Sequence, residues 1–361
     1  MNIKLEKSFG HIMSSFQKRD EKDRIGFVDL AKGFCIILVL IHHLESEIGV
    51  HCGIDPYLRT FRMPLYFLLS GLFFKTYDSF WDFEIRKTNK LLIPFLFFYF
   101  LTSVQLTWLQ QYEIRKVISW DLPFYFITKE ECLNNRPIWF LWCLFINNLL
   151  FYLIFLVSGL FPKARIIVLC LLIIFFGSFG YYLGYYDINV PAFIDTSLTA
   201  LPFFSLGFLL RKYTKFLVPN KCDKYSMLII LFCIFTVYWL TDGDVNYRTN
   251  SYTMPIFHVY MSGTLGSLGI LYISKVIKWL PIISYLGRYS IMILVSHKIL
   301  MVPFLWVFNL MNLSKNLSFL FITLLMILSY LIIIPLMKKF LPHVTAQKDL
   351  LPVCIHKNSQ K

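Results

Sequence analysis

The sequence predicts an all-α fold, a polytopic membrane helical bundle of about ten transmembrane helices. Three observations carry that expectation. Apolar residues make up 57% of the 361-residue chain and aromatics 18%, with a mean hydropathy of +0.61, which is too apolar for a water-soluble domain. The apolar residues fall in separate runs, most of them long enough to cross about 30 Å of hydrocarbon. The cations alternate between the segments that join those runs.

The runs lie at 27–48, 57–75, 91–110, 138–159, 166–185, 198–211, 226–241, 254–273, 282–307 and 317–337. The shortest, 198–211, is weak on hydropathy alone. With both termini inside, the inner segments hold 24 Lys and Arg and the outer loops hold seven. Removing the sixth run would break that alternation, so the charge pattern supports a multi-pass plasma (inner) membrane protein with both termini cytoplasmic. Residues 1–26 are polar and mixed in charge, with no apolar core or cleavage site, and are expected to be a cytoplasmic segment and not a signal peptide. Residues 27–340 form the membrane domain, with room for an interfacial helix in the loop 111–137. Residues 341–361 are a short polar cytoplasmic tail, expected to be loosely ordered.

Composition also excludes classes. A net charge of +14 invites a nucleic-acid reading, but the basic residues sit between apolar runs and form no block, so no nucleic-acid partner is expected. The eight cysteines form no CxxC pair, and half of them lie in apolar runs. They read as packing residues, with neither a disulfide framework nor a metal site.

The first run carries residues that a bilayer discourages: Asp29, Lys32, His42 and His43. A charge at the centre of a spanning helix costs roughly 3 kcal/mol or more, so such groups face a protein interior or a wet cavity and mark function. Lys32 and His43 are 11 residues apart, nearly three turns, and so share a face about 16 Å apart along the axis. Asp29 lies one turn before Lys32. His42 points elsewhere and reads as structural. Arg62 lies well inside the second run.

Six motifs in order give these residues a family context. VDLAKGFCIILVLIHH places Lys32 ten spacers ahead of His43, and FRMPLYFLLSG runs from Phe61 to Gly71. RKTNKLLIP spans Arg86 to Pro94, WFLWCLF starts at Trp139, LPFFSLG starts at Leu201, and LGRYS runs from Leu286 to Ser290 ahead of His297. From about 24 to 340 the chain resembles the acyltransferase 3 family of integral-membrane O-acyltransferases. Two positions depart from the usual pattern. Lys32 stands where Arg is frequent and lacks its planar fork, and Arg62 stands where relatives often have His.

The resemblance implies transfer of an acyl group, expected to be acetyl, from acyl-CoA (acetyl-CoA) to a hydroxyl of a glycan or lipid-linked sugar, with no metal. The expected topology sorts the polar groups into two layers. Lys32, Lys87, Lys90 and Arg288 lie on the inner side, suited to the phosphates of CoA. His43, Arg62, His297, His258 and Trp139 lie in the outer half. His43 is expected to be a general base or a transient acyl carrier, with Glu47 one turn on to orient it. Arg62 suits an oxyanion or an acidic acceptor. Asp29 is expected to neutralise or flank Lys32, Pro64, Ser70 and Gly71 to shape the second helix, and Trp139 to belong to a belt or core. The rival class is a secondary transporter or exporter of an anionic metabolite or glycan precursor, since intramembrane cations also line permeation paths; no inverted repeat supports it.

Overall fold

In the computed structural model the chain is described over residues 25–77, 79–110, 135–214, 225–310 and 313–353. Twelve helices occupy most of those residues. They are α1 (Gly26–Ile48), α2 (Asp55–Leu72), α3 (Phe80–Lys87), α4 (Ile93–Gln110), α5 (Trp139–Gly159) and α6 (Arg165–Tyr185). The chain continues with α7 (Ile194–Tyr213), α8 (Ser226–Leu240), α9 (Ile256–Ile277), α10 (Pro281–Arg288), α11 (Ser290–Leu310) and α12 (Lys315–Phe340). Between α8 and α9 a two-stranded antiparallel hairpin pairs β1 (Val245–Asn246) with β2 (Ser251–Tyr252), Val245 opposite Tyr252.

Nine of the ten predicted runs each overlap one helix, and the molecule is a multi-pass helical bundle. Seven described helices are long and apolar enough to span a bilayer: α1, α5, α6, α7, α9, α11 and α12, three of them with a leading turn. The others are shorter or more polar: α2 carries Asp55, Arg59 and Arg62, and α8 has 15 residues. The weak run 198–211 becomes a 20-residue helix. Its hydropathy is low because its polar groups bond inside the bundle. Ser197 Oγ donates to the carbonyls of Phe193 (2.7 Å) and Cys143 (3.1 Å), and Thr199 Oγ1 donates to Asn250 Oδ1 (2.9 Å).

The helix α1 is central, packing against α2, α9, α10, α11 and α12. Its contact with α10 is backbone on backbone. A β-carbon on Gly33 would lie 2.0 Å from the Ile283 carbonyl oxygen, and one on Gly287 would lie 1.8 Å from that of Asp29. The run 282–307 is therefore not one helix but two, α10 and α11, which part at Tyr289. The break lets α10 lie flush on α1 and leaves Arg288 at its end. The pair α2–α7 repeats the device, with Gly71 against the Phe204 carbonyl and Gly207 against that of Leu68, at 1.8 and 2.0 Å for an added β-carbon.

Pro64, buried inside α2, cannot donate to the Thr60 carbonyl one turn earlier. Tyr247 of the hairpin donates its hydroxyl there instead, at 3.1 Å. The proline thus fastens the hairpin over one end of the bundle.

The tail departs from its expectation. Residues 341–353 are docked, with Thr345 fully buried. Asn89, in the π-helical turn Thr88–Leu92, accepts from the backbone N–H groups of Leu350 (3.0 Å) and Leu351 (2.8 Å) and donates to the Leu351 carbonyl (3.0 Å). The segment is held by that amide reading its backbone, by the burial of Thr345 and by Lys90, which donates to the Ala346 carbonyl. Residues 354–361, the N-terminal 1–24 and 111–134 of the long loop, where an interfacial helix was expected, lie outside the described residues.

Candidate active site

Two cavities open at the two ends of α1. The smaller, about 290 Å³, takes His42, His43 and Glu47 from α1, Arg59, Arg62 and Met63 from α2, Trp139 from α5 and Lys298 from α11, with the hairpin as its fifth side. The larger, about 510 Å³, takes Lys32 from α1, Tyr66 and Ser70 from α2, Phe140 from α5, and Arg288 with Ser290 from the α10–α11 break. Arg86, Lys87 and Lys90 close its side. We refer to these as the histidine cavity and the lysine cavity.

In the histidine cavity, the ring of His43 lies 5.2 Å from that of His297 and 5.3 Å from that of His42. His297 is fully buried, and its Nδ1 is 3.0 Å from the Ile293 carbonyl. A carbonyl only accepts, so Nδ1 carries the proton and Nε2 keeps its lone pair. That Nε2 is buried with no hydrogen-bond partner. The ring of His43 likewise has no hydrogen bond among the described residues. A buried polar atom left unbonded costs about 1–3 kcal/mol, and such exceptions concentrate where chemistry needs them.

Asp55 organises the arginines. Its carboxylate accepts from Arg59 Nε at 2.5 Å and from Arg62 at 3.2 Å, and it meets His42 Nδ1 at 3.0 Å. Arg62 is only 6% exposed, and this pairing offsets the cost of burying its guanidinium. Sequence reasoning missed Asp55, although Asp55, Arg59 and Arg62 are spaced to share a helix face. It also set His42 apart from the site. His42 does face away from Lys32, but α2 packs on that side of α1, so His42 bridges Asp55 to His43.

Glu47 does not orient His43. It is ion-paired with Lys298 at the cavity rim, where a carboxylate stays hydrated and α11 brings it an ammonium. Trp139 lines the cavity and stacks on Phe193, 5.7 Å between centroids. His258 stands apart from the cavity, paired with Asp242 at 3.1 Å.

In the lysine cavity the four predicted cations are brought together, and Arg86 joins them. Arg86 Nε lies 3.1 Å from both oxygens of Asp82, with its guanidinium over the Tyr77 ring. Lys32 Nζ sits 5.2 Å from the centre of the Phe73 ring. Lys87 lies over Phe83, and burial lowers its pKa to about 8. Lys90 is engaged by the tail, donating to Ala346 O at 2.9 Å and pairing with Asp349 at 3.2 Å. Asp29 is not part of the lining; its backbone meets α10. Pro64 and Gly71 are architectural, while Ser70 reaches the cavity wall.

Only about one turn of helix separates the cavities. Met63 faces one and Tyr66 the other; Trp139 and Phe140 divide likewise, as do Lys298 and Leu294. A turn rises about 5.4 Å, so a thin partition of Tyr66 and Phe140, with ring centres 5.5 Å apart, lies between two polar chambers.

A histidine pair, one ring of it fully buried, faces a cation-lined chamber across one turn inside a multi-pass bundle, and the family match makes this bundle a membrane acyltransferase. The chain belongs to the acyltransferase 3 family, whose model, described as an acyltransferase domain, matches residues 25–338. No curated protein and no solved structure matches the chain.

Proposed function

We propose that this acyltransferase moves an acyl group, acetyl in the first instance, from acyl-CoA to a hydroxyl of a glycan or lipid-linked sugar. The donor's phosphates enter the lysine cavity from the cytoplasm, where both termini lie, and the acceptor enters the histidine cavity from the outer face of the plasma membrane. The observation that carries this reading is the pair of cavities lined by the same helices and separated by one turn. The thioester at the tip of a long pantetheine arm has only the Tyr66–Phe140 partition to cross.

At the partition, the acceptor oxygen attacks the thioester carbon while His43 takes the hydroxyl proton. Arg62, held in place by Asp55, faces the charge that develops on the carbonyl oxygen. As the carbon–sulfur bond breaks, the imidazolium returns the proton to the thiolate, leaving an ester and free CoA. His297 offers its unprotonated Nε2 beside His43 as a second proton acceptor.

The test is a vesicle assay with acetyl-CoA and candidate glycans, following thiol release and label transfer for the wild type and His43→Ala. Wild-type transfer that His43→Ala abolishes supports the reading. Blank-rate thiol release by both proteins, together with solute flux through the wild type, would replace the enzyme with a transporter.

A further inference from the structure

The histidine cavity is more basic than proton transfer requires. Five cations line it, Arg59, Arg62, Arg136, Arg248 and Lys298, against one carboxylate, Glu47. Neighbouring acids take up three of them. Asp55 is shared by Arg59 and Arg62, Glu47 is taken by Lys298, and Asp244 stands 3.8 Å from Arg59 with its side chain 80% exposed to solvent. Glu45, buried with its carboxylate beside His42 and Asp55, adds a further acid next to the cavity.

One of these cations stands out. The side chain of Arg248 has no ion-pair partner among the described residues, yet its backbone is fixed. Its N–H donates to Asn246 Oδ1 at 3.1 Å, within a hairpin whose Tyr247 is buried and bonded to Thr60. A half-buried guanidinium on a rigid support, at the mouth of a cation-lined cavity, is suited to a ligand's anionic group.

We infer that the acceptor carries a negative charge, a carboxylate or a phosphate on the sugar, and that Arg248 at the hairpin end of the histidine cavity binds it. This rests on the acyl-transfer reading only for the word acceptor; the anion site is a property of the cavity. Anchoring the anion at the hairpin leaves a hydroxyl of the same or the adjoining sugar to approach His43. Neutral glycans lose that anchor, so the cavity selects among acceptors by charge.

The experiment uses the full chain in zwitterionic lipid nanodiscs, which expose both cavities. Acetyl transfer from acetyl-CoA is measured for a neutral oligosaccharide and for the same oligosaccharide bearing one carboxylate or one phosphate. The expected result is a kcat/KM at least roughly tenfold higher for the charged acceptors. The ratio shrinks at high salt and falls to near unity in Arg248→Ala, with partial retention in Arg248→Lys. Equal use of charged and neutral acceptors, or an equal loss on all three in Arg248→Ala, would overturn the proposal. So would loss of the preference when anionic lipid is added to the disc, because the cations would then be holding headgroups. Direct binding of the charged oligosaccharide without donor separates the two readings. Arg248-dependent binding with no acyl transfer leaves the anion site standing and removes the enzyme; transfer without charge preference does the reverse.

Discussion

The imidazoles of His43 and His297 lie 5.2 Å apart, and the Nε2 of His297 is buried without a hydrogen-bond partner. With Nδ1 committed to the Ile293 carbonyl, that ring has one free lone pair and one neighbour able to give it a proton. His297→Gln is expected to lower kcat by roughly 100-fold while KM changes little, because proton transfer counts in the transition state and not in binding. Steady-state acyl-transfer kinetics decide it. A rise in KM with kcat intact would make His297 a packing residue.

Asp55 compensates two arginines at once. Asp55→Ala leaves the buried Arg62 guanidinium without its carboxylate, and the expected loss is roughly 3 kcal/mol of stability. Thermal unfolding in detergent reads it, as a lower Tm that Asp55→Glu partly restores.

Lys87 gives the lysine cavity, the proposed donor site, a pH dependence. Its folded pKa of about 8 lies below the ordinary 10.5, so the ammonium is present at pH 7 and largely lost by pH 9. Acyl-CoA affinity is expected to fall roughly tenfold across that range, and Lys87→Arg flattens the profile. Stability moves the other way. Between pH 8 and 10.5 the unfolded chain binds more protons than the folded one, so this group makes folding more favourable as pH rises through that window. Binding titrations and melting curves at the same pH values therefore move in opposite directions.

The tail holds Lys90 through Asp349, at the edge of the lysine cavity. Asp349→Asn removes an acid from that edge and frees an ammonium, and is expected to tighten acyl-CoA binding several-fold, in keeping with the modest strength of an exposed ion pair. Asn89→Ala removes the clamp on Leu350 and Leu351. Limited proteolysis is expected to cut the tail sooner in that variant.

The axis of the site was legible because intramembrane charge is costly. Lys32, His43 and Arg62 stood out in apolar runs, and helical spacing alone put the first two at opposite ends of one face. What the sequence hid came from other elements. Asp55 lies just outside the apolar run 57–75 and enters the site because α2 begins at it, and His42 became a partner only through the side on which α2 packs. Glu47 was one turn from His43, but α11 supplied Lys298 and took it. Arg248 lay in a hydrophilic connection whose shape depends on a proline in another helix. The docking of the tail rests on the Asn89 amide and on Lys90, whose bonds to the tail no hydropathy pattern registers.

The glycines of α1 and α10 bear on how anything passes between the chambers. Where a β-carbon on Gly33 or Gly287 would overlap a carbonyl, the two helices have no side-chain layer on which to slide. The rocking of one half-bundle against another, on which alternating access depends, would have to prise these backbones apart. The helix that carries Lys32 and His43 and the one that carries Arg288 are expected to move as a single block. On the proposed route the acyl group crosses by a swinging arm and a local turn of the Tyr66 and Phe140 rings, through a stationary frame.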